Sequence, residues 1–455
     1  MKIFTKIALT LAVATIATSA FAGGPMTNSN QSAHFLRSIA RGTSLSTDAV
    51  YTNPAGVVFM DNGFHLGIND QMAAQTRKTT SSLTMGPQLP GGFSETEFEG
   101  SVFSPVIPSV HFAWKHNRWA VMAGMGVNGG GGTIKYDNGL ASFERIVSSF
   151  PAIIANQTAG TVVPTAYSRN LTLEGSSMTL AFNVGAAFRI TDWLSAAAMV
   201  RVGVTNNSYK AGLNNLNFNI GGQMLPASAV LAGTPYAALA EQSLDVKQKG
   251  TSISPVVALA FHKGAWDASV KYEFKMATEL ENTTTKDINL GDGGMFPDGE
   301  KIKAETPALL AAAVSRHFGP VKVTAQWHHY FDKDAENSFS PVIEGNTNEY
   351  MLGVEWQISE KWLVSAGTQR TQLNMDESKY SDMNFSISSW SIAAGLKYQV
   401  CDMVGINLGI MPTIYDSVES TGVHAFMDQN LGQFKDVYKR TSMAWGIGLD
   451  LKFGK

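Results

Sequence analysis

The chain has 455 residues, a formal net charge of −3 and only 16% charged residues, against 10% aromatics and 43 glycines. Soluble globular proteins carry roughly 25% charge, so this composition points either to a large all-β protein or to a transmembrane barrel, whose apolar and polar residues alternate and cancel in the average. The charge balance argues against a nucleic-acid partner, and the single cysteine, Cys401, cannot form an internal disulfide.

Residues 1–22 read as a secretory signal peptide: Lys2 and Lys6, an apolar run from Ile7 to Ile16, and Ala20-Phe21-Ala22 as a small-x-small cleavage site. No later apolar run reaches the roughly 18 to 20 residues of a spanning helix, so insertion by helices is excluded. Residues 23–60 are polar and irregular, with Ala33 to Arg41 expected as a short helix whose apolar face is Phe35, Leu36 and Ile39. Asn53-Pro54 followed by Gly56 predicts a fixed bend, because proline locks its own φ and restricts the residue before it, while glycine accepts backbone angles that other residues resist.

From residue 61 the texture changes to strand periodicity, beginning with Phe64, Leu66 and Ile68. Alternation then recurs in pairs of runs. Val106 to Lys115 is followed by a run from Trp119, and Met178 to Phe188 by one from Trp193. Trp266, Ala268, Val270, Tyr272, Phe274 and Met276 share one face, opposite Lys271, Glu273 and Lys275. Val321 to Trp327, Tyr350 to Ile358, Trp390 to Tyr398, Val404 to Ile410 and Trp445 to Phe453 complete the series.

Tight turns fall near residues 117, 191, 264, 319, 360 and 401. Between them lie polar stretches at 77–101, 129–168, 206–248, 280–302, 332–347, 372–384 and 415–436, expected as long loops. Short turns in phase with long connections predict an all-β fold: a transmembrane antiparallel β-barrel of about 14 strands over 61–455, with short periplasmic turns and both barrel ends on that side. Trp119, Trp193, Trp266 and Trp362 each follow a short turn, where an aromatic girdle belongs. Two loops contain apolar segments at helical spacing, Leu140 to Asn156 and Ala227 to Leu244, expected as exposed helices forming a hydrophobic landing surface.

Thr47-Asp48-Ala49 through Gly56, Pro108-Ser109-Val110 in the second strand, and Trp119 to Gly126 entering the run Gly129-Gly130-Gly131-Gly132 give the chain a resemblance to the FadL-type outer-membrane long-chain fatty acid and hydrocarbon transporters. The resemblance implies an N-terminal lumenal hatch over 23–60 containing Asn53, Pro54, Ala55 and Gly56. It also implies a kink in the third strand at Gly129, Gly130, Gly131 and Gly132 that opens the wall sideways. The expected function is passive uptake of long-chain fatty acids or similar hydrophobic molecules by a monomer in the outer membrane, without cofactor or metal, in contact with outer-membrane lipid and lipopolysaccharide. An aromatic hydrocarbon channel, a lipid-acting enzyme and a polar-solute porin are the alternatives.

A channel for amphipathic acids needs cations for the carboxylate inside an apolar passage. Strand parity turns Arg201 inward from the fifth strand, Lys271 and Lys275 from the seventh and Lys322 from the ninth. Each of these cations is expected to pair with a lumenal carboxylate such as Glu273 more often than to bind ligand, and Arg201 is favoured as the ligand contact because its own strand face offers no acidic neighbour. His328 and His329 point to opposite faces and cannot chelate one ion, and the loop carboxylates Asp292, Asp298 and Glu300 lack the spacing of an EF-hand.

Overall fold

In the computed structural model, residues 26–454 are described, apart from 235, 289–293, 338–339 and 427–428. The signal peptide expected at 1–22 therefore lies outside the described residues. Fourteen antiparallel strands close into a barrel. They are β1 Gly63–Met85, β2 Phe93–His116, β3 Trp119–Tyr136, β4 Ala166–Arg189, β5 Leu194–Ile220 and β6 Gln242–Lys263; β7 in two pieces, Trp266–Glu273 and Glu279–Lys286; and β8 in two pieces, Lys301–Lys303 and Leu309–Phe318. The rest are β9 Val321–Tyr330, β10 Thr347–Gln357, β11 Trp362–Gln372, β12 Ser389–Cys401, β13 Val404–Tyr415 continued by Val418–Phe426, and β14 Gln429–Phe453. β14 closes on β1 in unbroken register from Phe64 opposite Phe453 to Met85 opposite Gly432.

Burial alternates along the strands, and the exposed members are large apolar side chains such as Val184, Leu352, Ile392 and Ile447. A belt of this kind is stable only against lipid. The tight turns fall where the sequence places them, and the girdle tryptophans pack beside ring partners on the neighbouring strand: Trp119 on Phe188 at 4.4 Å, Trp362 on Tyr398 at 4.6 Å and Trp193 on Phe261 at 5.6 Å between centroids.

The expected long loops at 77–101, 206–248 and 415–436 are largely strand instead. β5 alone has 27 residues, about 90 Å at roughly 3.3 Å per residue, far more than a tilted strand needs to cross about 30 Å of hydrocarbon. The excess stands in water on the extracellular side. Its Ser, Thr and Asn residues are polar on both faces, so alternation fades while the backbone ladder continues.

β7 also departs from expectation. It breaks after Glu273, and Met276, expected to face lipid with Phe274, is turned inside at 3% exposure. Pro255 on the neighbouring β6 has no N–H to give the ladder here; Ser254 Oγ instead donates to Phe274 O at 2.6 Å.

The helix α1, Ala33–Ser38, starts at Ser32, whose hydroxyl accepts from Phe35 N. The short helix α2, Ala49–Thr52, is followed by a 3-10 turn over Pro54–Phe59 with proline at its first position. Residues 27–60 are buried almost throughout, inside the ring of strands. On the extracellular side α3, Ala141–Gln157, forms where its apolar spacing predicts. The second apolar segment yields only α4, Ala227–Val230, and a 3-10 turn at Ala237–Ala240, interrupted at Gly233 with φ +74°. Neither makes an exposed landing surface: Leu140, Val147, Phe150, Leu231 and Leu239 are buried in one apolar cluster with Leu171, Tyr209 and Leu244.

Candidate functional site

The lumenal segment is held by side chains that the barrel turns inward. Arg37 donates to Glu355 Oε1 at 2.7 Å, Ser365 Oγ at 3.0 Å and Asn407 Oδ1 at 3.2 Å. Arg41 reaches the same Glu355 oxygen at 2.8 Å and grips Asp48 through two nitrogens at 2.8 and 3.1 Å. Burial by itself would raise the Asp48 carboxyl, but Arg41 beside it holds it well below the usual carboxylate range. His34 lies 3.0 Å from Asp450, and Thr47 donates to the other oxygen of that carboxylate.

Within this segment, Asn53 Nδ2 donates to Ser44 O at 3.0 Å and Gly56 N to Asn53 O at 2.8 Å. A Cβ at Gly56 would stand 2.2 Å from Asn53 Nδ2, so a larger residue here would have to displace the Asn53 amide. Of the four residues Asn53, Pro54, Ala55 and Gly56, it is Ala55 that bonds the wall, its carbonyl accepting from Ser195 Oγ at 2.6 Å.

The backbone ladder of the wall is interrupted, although Ser104 Oγ of β2 still donates to Gly131 O of β3 at 2.6 Å. β2 and β3 pair from Val110 opposite Met125 down to His116 opposite Trp119, and again at Ser101 opposite Lys135, with no pairing between these points. On its other edge β3 stays joined to β4 through two bulges, between Val127 and Gly129 and between Gly130 and Gly132. Gly130 and Gly131 adopt φ of +68° and +119°, and a Cβ on Gly130 would meet Ser177 O at 2.1 Å. The glycine run therefore builds the bulged edge of a real gap in the ladder.

The amino end of the lumenal segment fills this gap from inside. Asn28 N donates to Asn128 O at 2.8 Å, Gln31 Nε2 and Asn28 Nδ2 donate to Val127 O at 2.7 and 2.9 Å, and Ser109 Oγ donates to Gln31 O at 2.5 Å. Backbone groups of β3 that β2 leaves unpaired find partners there.

Deeper in the lumen Arg201, Lys271 and Glu273 come together, each 4% exposed. Arg201 donates from Nη1 to Glu273 and from Nε to Asn183 Oδ1 at 2.7 Å. Lys271 Nζ lies 2.6 Å from the other Glu273 oxygen and donates to Tyr51 O at 3.0 Å. Both cations sit against the Tyr51 ring, at 4.9 and 4.8 Å from its centroid. Arg201 thus has an acidic neighbour after all, supplied by β7 rather than by its own strand face. The cluster still holds two cations to one carboxylate. Tyr51, which nothing in the local sequence marks, is its contact with the lumenal segment.

The other two expected cations lie elsewhere. Lys322 donates to Thr43 O at 2.9 Å and lies 3.2 Å from Asp267, so it fastens the segment near the short-turn end. Lys275 leaves the lumenal set because of the break in β7: its side chain is 40% exposed and pairs with Glu305 at 2.7 Å.

Above the plug, Phe143, Val147, Phe150, Leu171, Leu213 and Leu239 line a small apolar cavity of about 60 Å³. Ser149 Oγ and His424 Nε2, 2.7 Å apart, form a serine–histidine contact that the sequence did not reveal. Ser149 also lies 2.6 Å from Arg145 O, the acceptor four residues back in its helix, and is 0% exposed. Its one proton is spent on that bond, which makes the pair a structural tie. Asp298 accepts from Thr284 N at 2.9 Å, a loop-closing role, and Asp292 lies outside the described residues.

These features define an outer-membrane β-barrel with a filled lumen and an interrupted wall. No protein-family model and no curated protein matches the chain. Solved structures do. It is similar to a Pseudomonas aeruginosa FadL homologue at TM-score 0.62 and 14% identity, covering 93% of this chain and 98% of that one. The P. putida toluene transporter TodX aligns at TM-score 0.54 and 13% identity, over 90% and 95% of the two chains. The Ralstonia pickettii toluene transporter TbuX aligns at TM-score 0.53 and 13% identity, over 90% and 94%. The fold is of the FadL type, as the short sequence resemblance implied.

Proposed function

We propose that the protein is a passive outer-membrane channel for long-chain fatty acids or similar hydrophobic molecules, acting as a monomer. The observation that carries this reading is the gap between β2 and β3, stoppered from within by Asn28 and Gln31. A polar-solute porin has no use for such a stopper, since its cargo leaves along the axis. Apolar cargo gains by leaving sideways into lipid without crossing water. In this scheme the ligand is captured in the cavity under α3, its head group settles against Arg201 and Lys271, and a shift of the lumenal segment, the hatch, uncovers the gap at Gly129, Gly130, Gly131 and Gly132. No energy source is required. Lys275 is given no part in head-group binding; Lys322 acts as a hatch fastener.

TodX and TbuX are toluene transporters, so an aromatic hydrocarbon is the second reading. The excess of one positive charge in the Arg201 cluster favours a carboxylate, because a neutral hydrocarbon leaves that charge unused. The test is a disulfide between Asn28→Cys and Asn128→Cys in a Cys401→Ser background, the two backbones being joined by a 2.8 Å hydrogen bond, within the reach of a disulfide. Uptake of labelled oleate by cells is expected to stop on oxidation and return on reduction. Uptake of both oleate and toluene unaffected by a fully formed cross-link would sink the lateral route. Toluene uptake responding to the cross-link while oleate uptake does not would transfer the mechanism to the second substrate.

A further inference from the structure

Away from the lumen, the lipid-facing side of β5–β9 carries a trough of about 490 Å³. Its floor is made of small residues, Ala268, Ala312 and Ala325, and Leu259, Phe261 and Trp327 stand around it. The register shows why it forms. Phe261, Ala268, Val314 and Ala325 are consecutive cross-strand partners, as are Leu259, Val270, Ala312 and Trp327, so alanines in adjacent ranks face the membrane beneath larger neighbours.

The next rank toward the short-turn end is Lys263, Trp266 and Arg316, again direct cross-strand partners and therefore on the same outward face. Trp266 is 46% exposed, and the Arg316 guanidinium lies 5.0 Å from the ring centroids of both Trp266 and Phe318. Among the described residues neither Lys263 nor Arg316 has an ion-pair partner. The nearby carboxylate of Asp267 is turned inside, engaged by His262, His317 and Lys322. Two cations thus flank one tryptophan at the membrane edge, two interstrand spacings or about 10 Å apart, with room for one phosphate to bridge them.

We propose that Lys263, Trp266 and Arg316 hold the phosphate of an anionic glycerophospholipid, with one acyl chain lying in the alanine-floored trough above. Charge selects the head group, and position selects the leaflet. The site adjoins the turns at Gly264 and Gly319, on the periplasmic side, whereas lipopolysaccharide phosphates lie at the opposite face. The trough then supplies a dry surface that a chain tethered by its own head group can cover.

The test uses the full-length protein purified in detergent and titrated with phosphatidylglycerol, with retained lipid read by native mass spectrometry. The double variant Lys263→Gln, Arg316→Gln is expected to lower retention at least tenfold, and Ala312→Phe, which fills the trough, several-fold. Arg316→Lys is expected to keep most of the binding, and Lys78→Gln, at an extracellular cation, all of it. Heat-modifiable migration establishes that each barrel is assembled. Retention by an assembled double variant equal to that of the unaltered protein, or equal loss with Lys78→Gln, overturns the proposal.

Discussion

Arg201→Ala separates a head-group site from a structural ion pair. In the unaltered protein Arg201 and Lys271 share one carboxylate, Glu273, at 4% exposure. Removing Arg201 leaves Lys271 and Glu273 balanced, so the barrel is expected to assemble. What disappears is the excess positive charge and one charge-assisted bond to an incoming carboxylate. Such a bond is worth about 1.5–3 kcal/mol, or roughly ten- to a hundredfold in Kd at about 1.4 kcal/mol per decade. Glu273→Gln does the reverse. It leaves two buried cations uncompensated, an arrangement that costs about 3–5 kcal/mol and that a bound carboxylate would relieve. The assay is titration of oleate, with hexadecanol as the neutral-headed control, into each purified variant. Oleate binding is expected to weaken in Arg201→Ala and tighten in Glu273→Gln, with hexadecanol indifferent to both. Oleate affinity unchanged in Arg201→Ala, or hexadecanol affinity falling in parallel with it, would refute the reasoning and leave the cluster as a tie between hatch and wall.

Gly130→Val places a β-branched residue at φ +68° with its Cβ 2.1 Å from Ser177 O. The left-handed backbone alone costs about 1–2 kcal/mol, so the bulge is expected to be remodelled and oleate uptake to fall several-fold in an assembled barrel; wild-type uptake would take the kink out of the route. Asn53→Ala removes the bond to Ser44 O at about 1 kcal/mol, and is expected to raise amide exchange across 44–56 while leaving barrel migration unchanged. Asp332, in the extracellular turn after β9, is pushed up to about 6 by burial. A carboxyl with a raised folded-state pKa stabilises fully at pH below its unfolded value near 3.9, and that contribution is lost as pH rises through about 6, amounting to roughly 2–3 kcal/mol. Amide exchange across residues 330–337, corrected for its intrinsic pH dependence, should therefore rise between about pH 4 and pH 7 and level off above. Asp332→Asn should abolish that dependence.

The barrel was legible because lipid imposes one rule on every strand: outward residues are apolar, and turns on one side are short. Met178 to Phe188 and Trp445 to Phe453 obey it and were placed correctly. Where lipid ends the rule ends, which is why the polar ladders of β5 and β14 looked like loops. Parity also fails at an interruption: Phe274 and Met276 share a face on paper, yet the break after Glu273 sends them to opposite sides and removes Lys275 from the lumen. The candidate site was half visible. Arg201 and Lys271 could be turned inward by counting, and Glu273 could be named as a carboxylate able to pair with them, but that Arg201 reaches Glu273 across the intervening β6 depends on the register of three strands. Tyr51 and Gln31 depend on where an irregular segment lies inside the ring, and no periodicity carries that information.

The distribution of the hatch's bonds argues for partial movement. The region around α1 and α2 is fixed by Arg37, Arg41, Asp48, Glu355, His34 and Asp450, an ion-pair network whose members are mostly buried. Pulling it free would strand charges in a low-dielectric lumen at several kcal/mol each. The stretch from Asn28 to Gln31 is held to Val127, Asn128 and Ser109 by neutral hydrogen bonds, each worth about 1 kcal/mol net when water or a ligand can take its place. The weak bonds lie at the gap and the strong ones away from it. On the proposed route, a ligand bound beside Tyr51 would need to release only this amino end to uncover the opening, while the charged part of the segment would stay docked and keep the axial path shut.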